Sequence, residues 1–257
     1  MKSFNRIRRL NGVVSDFINE NGLDNITIAD IGADHGYLAE LLSRNEKISK
    51  VIATDISKKC LEKTEKLVAD FKLDKVETML GDGLEPIERV DIVVVAGVGG
   101  YEIIKMLNYQ NITKSGEKKS RFFIFEPSKN TVELRQFLIE KNMAILRDFI
   151  IESGGRFYSI IVVDTEKENT VEKNIFNLYF GRDNDVSNPE FIGFLKFELE
   201  LLDFMKNLTK EQIENDENTK NKYEIFMLAN KILKERQGEW FYVCKNTRIS
   251  KNWEWNY

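Results

Sequence analysis

The residues with the clearest capacity for chemistry lie in one run, Ala29-Asp30-Ile31-Gly32-Ala33-Asp34-His35-Gly36-Tyr37, which also holds the only histidine of the chain. Glycines there let the backbone turn tightly and approach a ligand with no Cβ in the way. A carboxylate at Asp30 or Asp34 suits an ammonium group. Amides at the start of a helix opening near Tyr37 suit a carboxylate. An amino-acid moiety carries both groups. A dinucleotide site would use G-x-G-x-x-G, and the negative charge of Asp34 would spoil a cradle for pyrophosphate. Two further acids stand at comparable places. Asp55 follows Val51-Ile52-Ala53-Thr54 and can bridge two ribose hydroxyls, although a helix N-cap is the plainer reading. Asp82, in Gly81-Asp82-Gly83-Leu84, can accept from an adenine amine, although it also reads as a simple turn. Methionine, ribose and adenine together make S-adenosylmethionine, which is the cofactor this arrangement predicts.

Those carboxylates must be positioned by strands. Leu10, Val13, Val14, Phe17 and Ile18 recur at helical spacing, and Asn21-Gly22 ends that helix. Buried strands are expected at Ile26–Ile31, Val51–Ala53, Val76–Leu80, Asp91–Ala96 and Arg121–Phe125. Helices are expected from Tyr37–Leu42, after Ser57, at Glu102–Leu107 and at Val132–Glu140. Ala144–Glu152 and Arg156–Val163 read as a closing antiparallel hairpin around Ser153-Gly154-Gly155. Alternating strands and helices predict right-handed crossovers and a mostly parallel sheet, so all three acids would lie at carboxyl ends of successive strands, where open α/β sheets bind ligands. The fold class is α/β, a Rossmann-like domain over residues 1–165, followed by a helical, coiled-coil-like domain over 166–257. In the latter, Asn188-Pro189 is read as stopping one element. Ile192, Leu195, Leu199 and Leu202 form one amphipathic helix, Glu214–Asn221 is a polar separator, and Phe226, Ala229 and Leu233 form a second helix. The aromatic tail Ile249–Tyr257 has no assignment.

Other chemistries are poorly supported. The 257 residues contain two cysteines, Cys60 and Cys244, and no CxxC, so no metal site is expected. A G-x-S-x-G elbow is absent from the sequence. The net charge of −4 disfavours a non-specific nucleic-acid coater. Local basic clusters remain: Arg6, Arg8 and Arg9, and Lys114, Lys118, Lys119 and Arg121. They read as solvated surface or as phosphate contacts. No apolar run approaches a membrane span and no secretory signal is evident, so a cytoplasmic, membrane-free monomer is expected.

The series RRL, ADIGADHGYL, GDGLE, DIVVVAGVGG, FEPS with ELRQFL, and ESGGRFYSIIVV resembles, in order over residues 5–165, the bacterial tRNA (adenine-22-N1)-methyltransferase family. The resemblance continues more weakly to about residue 235. It implies transfer of a methyl group from S-adenosylmethionine to N1 of an adenine in tRNA. By motif, the cofactor would be lined by Asp30, Gly32, Asp34, His35, Gly36, Asp55, Ile56, Asp82, Gly83, Ala96 and Gly97. Asp34, Tyr37, Gly97, Glu126 and Pro127 would serve the reacting centre, with Gly99 and Gly100 facing it. Three positions depart from the family pattern: Val98 stands for methionine, Ala39 for proline, and Glu126-Pro127-Ser128 for Gln-Pro-Asn. Glu126 puts an anion near the base pocket where the family has a neutral amide, which leaves open another methyl acceptor. A non-catalytic tRNA-binding protein of the same fold is the remaining alternative.

Overall fold

The computed structural model describes residues 2–112 and 116–237. It divides into two compact units, 1–184 and 185–257. The first opens with helix α1 (Lys2–Glu20), ended by Gly22 in the left-handed region at φ 61°. Then follow β1 (Ile26–Ile31), α2 (Tyr37–Ser43), β2 (Ile48–Asp55), α3 (Lys58–Phe71), β3 (Val76–Leu80), β4 (Ile92–Ala96), α4 (Gly100–Tyr109), β5 (Phe122–Glu126), α5 (Thr131–Glu140), β6 (Ala144–Ser153), β7 (Arg156–Asp164) and the short α6 (Ile175–Tyr179).

The strands form one sheet in the order β3-β2-β1-β4-β5-β7-β6. β1 to β5 are mutually parallel, while β7 runs antiparallel between β5 and β6. The chain reverses its direction of travel across the sheet between β1 and β4, which opens a crevice at their carboxyl ends. Both faces are apolar because the strand residues alternate between two cores. Ile92 and Val94 join Leu10, Val14, Phe17 and Ile18 of α1 and Leu38 and Leu42 of α2. Val93 and Val95 join Ile103 and Leu107 of α4 and Leu134 and Leu138 of α5. Such double-sided burial is why these strands read as continuous apolar runs.

The division between units falls after Asn184 rather than at residue 165. Arg135 donates to the carbonyls of Leu178 and Tyr179 at 3.0 Å each, and Asn184 accepts from the Ile150 amide at 3.0 Å. These bonds tie 166–184 to the sheet unit, and no local sequence pattern announces them.

The second unit contains α7 (Pro189–Leu201), a 3-10 turn (Asp203–Asn207), α8 (Lys210–Glu214) and α9 (Glu217–Gln237), with α9 packed against α7 and α8. Asn188-Pro189 opens a helix instead of stopping one: the Asn188 side chain accepts from the Glu190 amide, and proline occupies the first turn, where its missing N–H costs nothing. The polar separator is also largely helical, since Glu217 to Asn221 begin α9. Its charges mark a solvated helix face, not a loop. No helix among the described residues is long and apolar enough to cross a membrane. Cys244, Lys114 and the tail 249–257 lie outside the described residues.

Candidate active site

The loop after β1 is built from left-handed turns, with Gly32 at φ 78°, Asp34 at 46° and Gly36 at 72°. The amides of Gly32 and Ala33 both donate to the Thr54 carbonyl at 2.9 Å, so β2 carries the loop. Asp34 is the costly member, because an L side chain rarely takes that conformation. It is held by its amide donating to Asp55 Oδ2 at 3.0 Å and by Thr64 Oγ1 donating to its carbonyl at 3.0 Å. Gly36 tolerates no side chain: a Cβ there would lie 2.7 Å from Thr64 Cγ2 and 3.3 Å from Thr64 Cα. Gly36→Ala is expected to destabilise the protein by about 2 kcal/mol, lowering the thermal midpoint by roughly 4–8 °C. A thermal scan showing no shift would contradict this account of the loop.

Asp30, near the end of β1, is buried, and its Oδ2 has no hydrogen-bond partner among the described residues. Burial pushes its pKa up to about 7; the Ala39 amide opposes this, and the nearby Asp55 charge adds to it. An orphaned acid oxygen of this kind fits a cationic ligand group that replaces the lost water contacts. Asp55 already accepts from Asp34 N and, at 2.8 Å, from Ser57 N, leaving each oxygen a free lone-pair direction for a ligand hydroxyl. The cap of α3 is Ser57, which accepts from the Cys60 amide at 3.3 Å, so the plainer reading of Asp55 as a cap does not hold.

Ile56 is 70% exposed and Leu80 53%, at the ends of neighbouring strands. They give apolar surface next to Asp82, whose carboxylate lies 3.3 Å from Lys105 Nζ. Leu80 was not singled out in the sequence, where it reads only as the last residue of a buried strand. Gly83 sits at φ 55° beside Gln110, whose Oε1 accepts from the Leu84 amide at 2.9 Å.

Across the switch point, Ala96 ends β4 and Gly97 is exposed at φ 76°. A Cβ on Gly32 would touch Val98 Cγ2 at 3.5 Å, so the first loop abuts the Gly97-Val98-Gly99 opening. Asp34 Oδ2 lies 2.6 Å from His35 Nδ1, and Lys63 Nζ lies 3.3 Å from Asp34 Oδ1. Burial pushes the Asp34 pKa up, but hydrogen bonds from His35, Cys60 and Lys63 outweigh this and hold it below the usual carboxylate range. His35 stacks on Tyr37 with ring centroids 5.6 Å apart and planes 3° apart. Of the sequence-predicted residues, Gly32, Asp34, His35, Tyr37, Ile56 and Gly97 are exposed just beyond the carboxyl ends of β1, β2 and β4, whereas Gly99, Gly100, Glu126 and Pro127 are buried.

Glu126 is buried at the end of β5 and has a partner that sequence reading missed, Arg6 Nη1 at 2.6 Å. Arg6 is thus not part of a surface patch. Arg9 donates to the Glu152 carbonyl at 2.7 Å. The second cluster is structural too: Lys119 is buried, donating to the Leu84 carbonyl at 2.6 Å, Lys118 donates to the Thr165 carbonyl, and Arg121 pairs with Asp164 at 2.7 Å. A run of basic residues reads as solvated until its distant acceptors are known. Among the described residues no group of three or more His, Cys, Asp or Glu could hold a metal ion.

Sheets of this order, with antiparallel β7 set between β5 and β6, are the scaffold of methyltransferases that use S-adenosylmethionine. The chain belongs to the methyltransferase-domain family, whose profile matches residues 8–161. It is 29% identical over 140 residues to a Bacillus subtilis (strain 168) tRNA (adenine(22)-N(1))-methyltransferase, a match covering 53% of this chain and 58% of that enzyme. A structure of M. capricolum TrmK in complex with S-adenosyl-homocysteine superposes with a TM-score of 0.68 at 25% identity, covering 90% of this chain and 96% of the other. The B. subtilis M1A22 tRNA methyltransferase TrmK shares the fold, with a TM-score of 0.67 at 23% identity and coverage of 90% and 96%.

Proposed function

We propose that this chain is a cytoplasmic tRNA methyltransferase that moves the methyl group of S-adenosylmethionine to N1 of an adenine, position 22 of tRNA. The observation that carries the reading is the buried Asp30, whose Oδ2 has no hydrogen-bond partner among the described residues, across the switch point from an exposed glycine loop at Gly97. The curated activity of the Bacillus relative supplies the acceptor.

The bound cofactor supplies an electrophilic methyl group on a sulfonium. Asp30 takes the ammonium of its amino-acid end, Asp55 the ribose hydroxyls, and Ile56, Leu80 and Asp82 the adenine. The glycine opening at Gly97 admits the flat target base. Adenine N1 already carries a lone pair, so no strong base is needed to create the nucleophile, and rate comes mainly from positioning. N1 takes part in Watson–Crick pairing, so the target must be unpaired or flipped out. Tyr37, stacked on His35 and 42% exposed, offers that base an aromatic face. Asp34 stays ionised and stabilises the positive charge that develops on the ring.

Asp34→Asn is expected to keep the fold and to lose at least about tenfold in turnover, a modest factor because the Asp34 side chain is 54% exposed and its field is screened. Full activity would remove Asp34 from the mechanism. The reading as a whole is tested by transfer of radiolabelled methyl to bulk tRNA, followed by nucleoside analysis. Labelled 1-methyladenosine is expected. Label in a different nucleoside would reassign the acceptor, and no label would leave a non-catalytic binder.

A further inference from the structure

We propose that Glu126 selects the target base by accepting a hydrogen bond from its exocyclic amine, with Arg6 as the residue that positions Glu126. The inference rests on the reading of the chain as an adenine methyltransferase. Glu126 pairs in register with Ala96, and the Gly97 amide donates to the Glu126 carbonyl at 2.9 Å, which fixes this residue under the glycine opening. Its side chain is 1% exposed, although Gly97 itself is open to solvent. Oε1 takes the Arg6 guanidinium at 2.6 Å, and Oε2 is buried with no hydrogen-bond partner among the described residues.

A buried carboxylate oxygen with no donor among the described residues has unused capacity to accept a hydrogen bond. Burial holds the Glu126 pKa above the usual carboxylate range and Arg6 acts against that shift, so loss of the guanidinium would further favour the protonated form. Arg6 is itself fixed: its guanidinium lies 5.5 Å from the centroid of the Tyr158 ring, and its Nη1 would be 3.8 Å from a Cβ on Gly97.

The chemistry fits adenine. Its N1 lone pair stands next to an N6 amine, a donor that a carboxylate accepts. A 6-oxo purine offers an oxygen there, which a carboxylate repels. In the transfer, the N1 lone pair becomes the N–CH3 bond and the C–S electron pair returns to sulfur. The ring gains a positive charge that spreads onto the amine, and no proton leaves in that step. The amine is therefore a better donor in the transition state than before it, so the contact raises turnover as well as affinity.

The test uses the full chain and tRNA with either adenosine or purine riboside at the target position. Purine riboside keeps the N1 lone pair and lacks the amine. The wild type is expected to favour adenosine by roughly 10–100-fold in kcat/KM. In Arg6→Met/Glu126→Met, which removes both charges together, the ratio should fall to within about threefold, through loss of kcat on adenosine. Arg6→Met alone should lower the ratio part of the way, which a merely structural ion pair would not do. If the double variant fails to fold, Glu126→Gln serves, with a ratio between wild type and unity expected. An unchanged ratio in a folded variant overturns the inference and leaves the function standing. A wild type that leaves adenosine in tRNA unmethylated overturns the function and the inference with it.

Discussion

Asp30→Asn is expected to weaken cofactor binding by at least about 100-fold and to abolish the loss of stability that the cofactor-free protein suffers between pH 4 and pH 7. The first effect follows from removing one partner of a desolvated charge pair, which costs roughly 2–5 kcal/mol. The second follows from the raised pKa of Asp30, about 7 against an ordinary 3.8. Between those values the folded chain holds a proton that the unfolded chain has lost, so stability is greatest in acid and falls as pH rises through the folded pKa. The full span is on the order of 4 kcal/mol. Asparagine cannot ionise and escapes that decline. Binding carries the opposite slope. The ammonium needs ionised Asp30, so wild-type affinity should rise about tenfold per pH unit up to pH 7 and then level off. Calorimetry of wild type and variant from pH 5 to pH 8 measures both slopes. Parallel curves for the two proteins would remove Asp30 from the site.

Arg135→Met is expected to cost roughly 3–5 kcal/mol of stability. The Arg135 side chain is 1% exposed, and its Nε and Nη2 grip the two oxygens of Asp148 at 2.8 Å each. Burial pushes the Asp148 pKa up, and Arg135 is what opposes it. Without the guanidinium, a buried carboxyl group and two carbonyls of the 178–179 segment lose their donors. Arg135→Met/Asp148→Leu should recover most of the loss, since an apolar pair strands no charge. Urea unfolding of the two variants distinguishes the outcomes, and a double variant no more stable than the single one would mean that packing, not charge, sets the cost. Proteolysis between residues 165 and 184 should accelerate in the single variant.

The centre of the sheet was legible because β1, β4 and β5 are buried on both faces. Ile92–Ala96 and Phe122–Phe125 are continuous apolar runs punctuated by Gly97 and by Glu126-Pro127, and the acid-bearing turns follow β1, β2 and β3. The site edge was legible for the same reason: strand ends fix where Asp30, Asp55 and Asp82 must emerge. What escaped reading depends on partners far away in sequence. Arg6 meets Glu126 across 120 residues, and Lys119 reaches the carbonyl of Leu84 across 35. A basic residue near other basic residues carries no local sign of being buried. Asn188-Pro189 misled in a different way, because the same pair that breaks a helix also begins one.

Helix α1 has a consequence for how this chain is made. It precedes every strand of the sheet, yet part of what it lies against is synthesised late. Arg9 reaches Glu152 across 143 residues, and Phe17 meets the ring of Phe122 edge-on at 5.1 Å. Contacts that span so much chain close late, because the entropy of closing the loop is lost before they form. Helix α1 is therefore among the last elements to complete its docking: Leu38 and Leu42 of α2 meet its apolar stripe of Leu10, Val14, Phe17 and Ile18 early, but the distant contacts wait until Phe122 and the hairpin of β6 and β7 have been translated.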